Sequence, residues 1–120
     1  MVGIFRTLTP DNRISLFDKH LPDTPQVQRL LKKEGKAHIF KDRDTMNFVI
    51  EQIIARGEQT GINDPTDDYD RFGLYFTEPI GYQIRSDGSN IPLYYAEIKI
   101  IKGTGIYHVI PRTKPRQTNN

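Results

Sequence analysis

Residues 71–113 read RFGLYFTEPIGYQIRSDGSNIPLYYAEIKIIKGTGIYHVIPRT, and this stretch sets the fold class. Ile80, Tyr82 and Ile84 alternate with Gly81, Gln83 and Arg85, the period of a strand with one buried face. The turn cluster Ser86-Asp87-Gly88-Ser89-Asn90 contains Asp-Gly, which predicts a hairpin between strands 80–85 and 92–102. Aromatic-rich Phe72–Phe76 forms a strand before it. Gly103-Thr104-Gly105 turns the chain into a last strand, Ile106–Ile110, and Pro111 and Pro115 end regular pairing.

Upstream the period changes from two to 3.6. Thr24-Pro25 supplies a capping oxygen and a first-turn proline, Val27, Leu30 and Leu31 share a face, and Gly35 closes a helix over 25–34. Asp42, Asp44 and Thr45 offer caps for a second helix, about 45–56, with Met46, Val49, Ile50, Ile53 and Ile54 as its apolar stripe. Ala37–Phe40 is a short link or strand, and Asn12–Phe17 alternates enough for one short strand. The expected architecture is α+β: two helices packed on one face of a four-stranded antiparallel sheet (a meander). It divides into a weakly patterned N-terminal segment, 1–18, a single α+β domain, 19–113, and a flexible basic tail, 114–120.

Composition bounds the function. At 120 residues the chain is one domain, and 36% hydrophobic with 27% charged residues is the make-up of a polar globular protein. With no cysteine, disulfides, zinc–thiolate sites, iron–sulfur clusters and a cysteine nucleophile are excluded. No apolar run reaches the roughly 18–20 residues that span a bilayer. The N-terminus lacks a signal-like apolar region, so no membrane partner and a cytoplasmic location are expected.

Net charge is only +2, but it is segregated. Gly57–Pro79 holds six acids and one base, whereas Ile98–Asn120 holds five bases and no acid. Such a chain can present a basic surface to an anionic partner. The plainer alternative is a solvated loop and tail. Residues 61–71 (GINDPTDDYDR) invite a calcium reading, but Tyr69 and Tyr75 stand where an EF-hand loop from Asp64 needs glycine and glutamate. No metal or cofactor is expected.

Alternation places Ala96, Ile98 and Ile100 under the helices and Tyr95, Glu97 and Lys99 on the opposite, open face, joined there by Gln83 and Arg85. His108 lies on that face if Tyr107 and Val109 point to the core, and is buried if Ile106 and Ile110 do. Metal-free RNA cleavage needs a base for the 2′-hydroxyl, an acid for the leaving 5′-oxygen and cations for the phosphorane. Glu97 or a histidine suits the base and His108 the acid. Lys99, Arg85 and Arg112 suit the phosphate, and Tyr95 suits base stacking. His20 and His38 compete for a further role: His20, beside Lys19 and before a helix, is otherwise a loop histidine, and His38 a second catalytic candidate or a core-edge histidine.

The stretches KHLPDTPQVQRLLKKEGKAHIF, RFGLYFTEPIGYQIRSDGS and YHVIPRTKPR resemble a small family of uncharacterised proteins found mainly in cyanobacteria, over roughly Lys19–Arg116. Helices ahead of an antiparallel sheet, with KAHIF before a helix, look like the barnase–EndoU–colicin–RelE ribonuclease superfamily. Its secreted toxin members often carry a segment similar to HLPDTP. That resemblance implies a metal-independent ribonuclease in which His38 matches a histidine before a helix and Thr113 a late threonine. Glu97 and His108 resemble its acid–base pair. The order of HLPDTP and HIF departs from the toxin pattern. The expected function is a toxin-like endoribonuclease acting on RNA, with an immunity or antitoxin protein as partner. The alternative is a non-catalytic interaction module or homodimer.

Overall fold

The computed structural model describes residues 8–10, 19–61 and 64–115. Helix α1 (Pro25–Glu34) starts as its sequence dictates: the Thr24 hydroxyl accepts from the Val27 N–H at 3.3 Å with Pro25 in the first turn. It ends where Gly35 adopts φ 76°, a left-handed conformation that costs glycine little. Helix α2 (Arg43–Arg56) begins two residues earlier than 45, because Asp42 is the residue that caps it, accepting from the Thr45 N–H at 2.6 Å.

Eight strands follow the chain as β1 (Thr9–Pro10), β2 (Lys36–Phe40), β3 (Glu58–Thr60), β4 (Tyr69–Tyr75), β5 (Gly81–Arg85), β6 (Asn90–Leu93), β7 (Tyr95–Ile101) and β8 (Ile106–Arg112). They form a five-stranded sheet in the order β1-β8-β7-β4-β3 and a three-stranded sheet in the order β2-β5-β6. The large sheet is mixed, since β1 runs parallel to β8.

The fold is α+β, but not a four-stranded meander with both helices on one face. Two features divide the sheet. First, KAHIF is a full strand, pairing Ala37 with Ile84 and His38 with Gln83, and so draws β5 away from β4. Second, the expected strand 92–102 breaks at Tyr94. Pro92 has no N–H to give, which suits an edge strand, and β6 lies at the edge beside β5. The chain then crosses between sheets, held by Ile80 N–H on the Leu93 carbonyl at 2.8 Å and Phe76 N–H on the Tyr94 carbonyl at 2.7 Å. Pairing also continues past Ile110: Pro111 stands opposite Ala96, at a level where β1 no longer covers β8. The expected strand 12–17 and the end of the tail lie outside the described residues.

The two helices therefore pack mainly on different sheets, although the cluster of α2 also takes in Phe40 of β2 and Leu93 of β6. The stripe of α2 (Met46, Val49, Ile50, Ile53) packs with Phe72, Ala96, Ile98, Ile100, Tyr107 and Val109 of the large sheet. The smaller cluster places Val27 of α1 against Ala37 and Ile39 of β2. Gly81 is required where the strands of the small sheet meet, because a Cβ there would run into the Ile39 carbonyl. Gly81→Ala should destabilise the protein by about 1–3 kcal/mol, read from the midpoint of urea unfolding.

Candidate functional site

Tyr107 and Val109 face the core, so His108 falls on the polar row of the large sheet, opposite Lys99 in register. The same row carries Tyr95 opposite Arg112, and Glu97 opposite Gly73 of β4. That face is not open, as the alternation alone suggests. Glu97 is 0% exposed, Tyr95 2% and His108 6%.

Glu97 is held by charge. Its Oε1 accepts from Arg71 Nη1 at 2.6 Å, and Arg112 Nη1 stands 3.6 Å away. Arg71 also donates from Nε to Asp67 Oδ2 at 2.7 Å. The guanidinium is buried between two carboxylates, and their hydrogen bonds and charge raise its pKa against the burial that lowers it. Removing one member of such a set leaves an uncompensated buried charge, at a cost of about 3–5 kcal/mol. Glu97 thus reads as an anchor of Arg71 rather than an unengaged base. Lys99 lies half-buried with Nζ 4.6 Å from the centre of the Tyr69 ring, and burial followed by Arg71 lowers its pKa.

His38 and Arg85 belong to the small sheet, and a polarised chain of bonds joins them. Arg85 donates from Nε and Nη2 to Gln83 Oε1, at 3.1 and 3.0 Å. The Gln83 amide nitrogen is then the donor to His38 Nε2, at 2.9 Å. This leaves Nδ1 of His38 to donate to the Pro111 carbonyl at 3.1 Å, since a carbonyl can only accept. The chain selects the neutral Nδ1–H tautomer, and burial lowers the pKa of His38 in the same direction. Arg85 and Gln83 therefore do not share the face of Glu97, because the small sheet takes β5 elsewhere.

His20 competes with His38 for a role in the sequence, and the structure fixes its place. Its backbone carbonyl accepts from the Phe40 N–H at 2.8 Å, and its Nδ1 bonds the His38 carbonyl at 2.9 Å. Both bonds fasten it to the edge of β2 and orient its ring, whose centroid lies 5.3 Å from that of His108. The Nδ1–H tautomer leaves Nε2 with its lone pair. Burial pushes the pKa of His20 down to about 4, more than the His38 carbonyl raises it, so the ring is neutral at pH 7. A cleft of about 190 Å³, lined by His20, His38, Lys19 and Lys36 among others, reaches it.

The structure thus brings His108, Lys99, Glu97, Tyr95 and Arg112 onto one face and sets His38 and Arg85 beside it on another sheet. Thr113 is exposed just beyond β8. Arg71 was not legible as a site residue, Gln83 only as a member of the open face, and His20 only as a competitor of His38. The signal for His20 was the HLPDTP segment, where a histidine precedes a proline turn and a helix cap. Among the described residues no group of three or more His, Cys, Asp or Glu could hold a metal ion, and no helix is long and apolar enough to cross a membrane.

Residues 6–116 match a domain of unknown function, DUF6972. The chain belongs to the DUF6972 family. No curated protein and no solved structure gives a significant match to this DUF6972 chain.

The depressed pKa of His20 carries a stability consequence. Unfolded, the ring binds a proton at about pH 6.5; folded, at about 4. Between those values the unfolded chain holds more protons, so stability falls as pH drops through this window, by about 3 kcal/mol in all. Urea midpoints at pH 7.5 and 4.5 should show this loss in the wild-type chain and a smaller one in His20→Asn.

Proposed function

We propose that this chain is a metal-independent, toxin-like endoribonuclease whose acid–base groups are His20 and His108. The observation that carries the reading is the imidazole pair itself, 5.3 Å between centroids, with Lys99 opposite His108 in register. His20, neutral with Nε2 unprotonated, suits the base that takes the 2′-hydroxyl proton. His108 suits the acid that protonates the departing 5′-oxygen. The 2′-oxygen bonds to phosphorus as the 5′ bond breaks, leaving a 2′,3′-cyclic phosphate and a 5′-hydroxyl. Lys19 and Lys99, whose charges act on the His20 ring, suit the balancing of the phosphorane charge, since Arg71 and Arg112 already face Asp67 and Glu97. In this reading His38 holds the base in place through its backbone carbonyl, and Glu97 supports the face.

An enzyme of this kind acts on cytoplasmic RNA and requires a protein that blocks it, an immunity or antitoxin partner. Purified protein should degrade total RNA in excess chelator and leave cyclic phosphate ends. His20→Ala and His108→Ala should each lower the rate by about 10²-fold or more. Intact RNA after incubation with the folded wild-type protein would end this reading.

One observation favours an alternative, a non-catalytic interaction module. Phe48 on α2 is half exposed and its ring meets Phe76 at 6.1 Å, an aromatic patch suited to a protein partner or a second copy. In that case RNA stays intact, and the mass in dilute solution exceeds 13.9 kDa unless Phe48→Ser is introduced.

A further inference from the structure

Lys99 lies on β7, between β8 and β4 in the large sheet. On one side it stands directly opposite Arg71, and on the other opposite His108. Like charges opposite one another on neighbouring strands repel. Both cations lean on one aromatic ring: Lys99 Nζ lies 4.6 Å and Arg71 Cζ 5.5 Å from the centre of the Tyr69 ring. The ring offers them its electron-rich face but no counter-charge. The carboxylates of this face are already engaged, since Asp67 and Glu97 bond Arg71 and Arg112 faces Glu97. Among the described residues Lys99 forms no ion pair.

This placement changes the chemistry of the amine. Burial first and Arg71 second push the pKa of Lys99 down, with Lys19 and Arg112 acting in the same direction and Glu97 against them. A larger share of Lys99 is therefore the neutral amine near pH 7 than for a lysine in water. A lysine that is desolvated beside another cation is an activated nucleophile. Lys19 and Lys99 together also draw anions, so a reagent carrying a phosphate group is concentrated beside the amine it attacks.

We propose that Lys99 is an acylation site whose acyl donor is an acyl phosphate. The amine lone pair attacks the acyl carbon, and a bond forms between nitrogen and carbon. The bond from that carbon to the phosphate oxygen breaks, and phosphate leaves with the bonding pair. The nitrogen gives its proton to the departing phosphate, so the products are a neutral amide and hydrogen phosphate. The amide carries no charge to repel Arg71 and needs no counter-ion. One consequence rests on the RNA-directed reading of the histidine pair. Lys99 is there a charge that balances the phosphorane, so acylation switches cleavage off.

The test uses the folded wild-type protein and acetyl phosphate at pH 7.5, with the initial rate at each lysine read from peptide mass spectra. Lys102, exposed and three residues further along the chain, is the reference. Lys99 should be acetylated about fivefold faster than Lys102 or more, although it is the less exposed of the two. In concentrated urea the two rates should become equal. A folded-state rate at Lys99 no higher than that at Lys102, or a preference that survives urea, would overturn the proposal. Labelling needs no RNA, so the two readings fail separately. Preferred acetylation of Lys99 on a protein that leaves RNA intact keeps the site and removes the nuclease. Cleavage by a protein whose Lys99 shows no preference keeps the nuclease and removes the site. Lys99→Gln, which lacks the charge as the amide does, should cleave about tenfold more slowly or worse, and wild-type cleavage by that variant removes the switch.

Discussion

The side chain and backbone of His38 together tie three parts of the chain that sequence keeps far apart. Its ring bonds β8 through the Pro111 carbonyl and β5 through Gln83, while its own carbonyl bonds the ring of His20. Each of these bonds has a fixed direction, because Arg85 dictates the orientation of the Gln83 amide and Pro111 can only accept. The two sheets are therefore joined at one polar joint, beside a core made of apolar contacts. A histidine performs this role where lysine or arginine could not. Only a neutral ring both donates and accepts, and burial lowers the pKa so that it stays neutral.

The polar face of the large sheet follows a different logic. Interior charge is tolerated there because two cations, Arg71 and Arg112, face two carboxylates, Asp67 and Glu97. The excess on the face is cationic, through Lys99. Segregated charge along the chain therefore has a partly internal purpose: Asp67, from the acidic stretch, pairs with the buried Arg71. Of the basic stretch, Lys102 and Lys114 are exposed, while Lys99 and Arg112 are partly buried.

Much of the fold was legible locally. The ends of α1 follow from Thr24, Pro25 and Gly35, the stripe of α2 from apolar spacing, and the turn at Asp87-Gly88 from its composition. The rows of β7 also follow from alternation: Ala96, Ile98 and Ile100 are buried under α2, and Tyr95, Glu97 and Lys99 lie on the other side. The site was legible only in part. Parity placed Lys99 and Glu97 on one face and left His108 open between that face and the core, and His20 was not among them. Its position depends on backbone bonds to a strand 18 residues away, and such bonds leave no periodic mark on sequence.

What the sequence alone determined was each element and the side it buries, because propensity, capping and alternation act within a few residues. Which strand joins which sheet was decided only in three dimensions. Residues 90–101 are continuous in pattern, yet they divide at Tyr94 between two sheets. The choice rests on pairing partners brought from elsewhere, β2 for one sheet and β4 for the other. The same division encloses Glu97, moves Arg85 away from it and brings His20 against His108. Local rules are silent there, because strand pairing is a competition among distant segments settled by the total apolar area and hydrogen bonds that each arrangement buries.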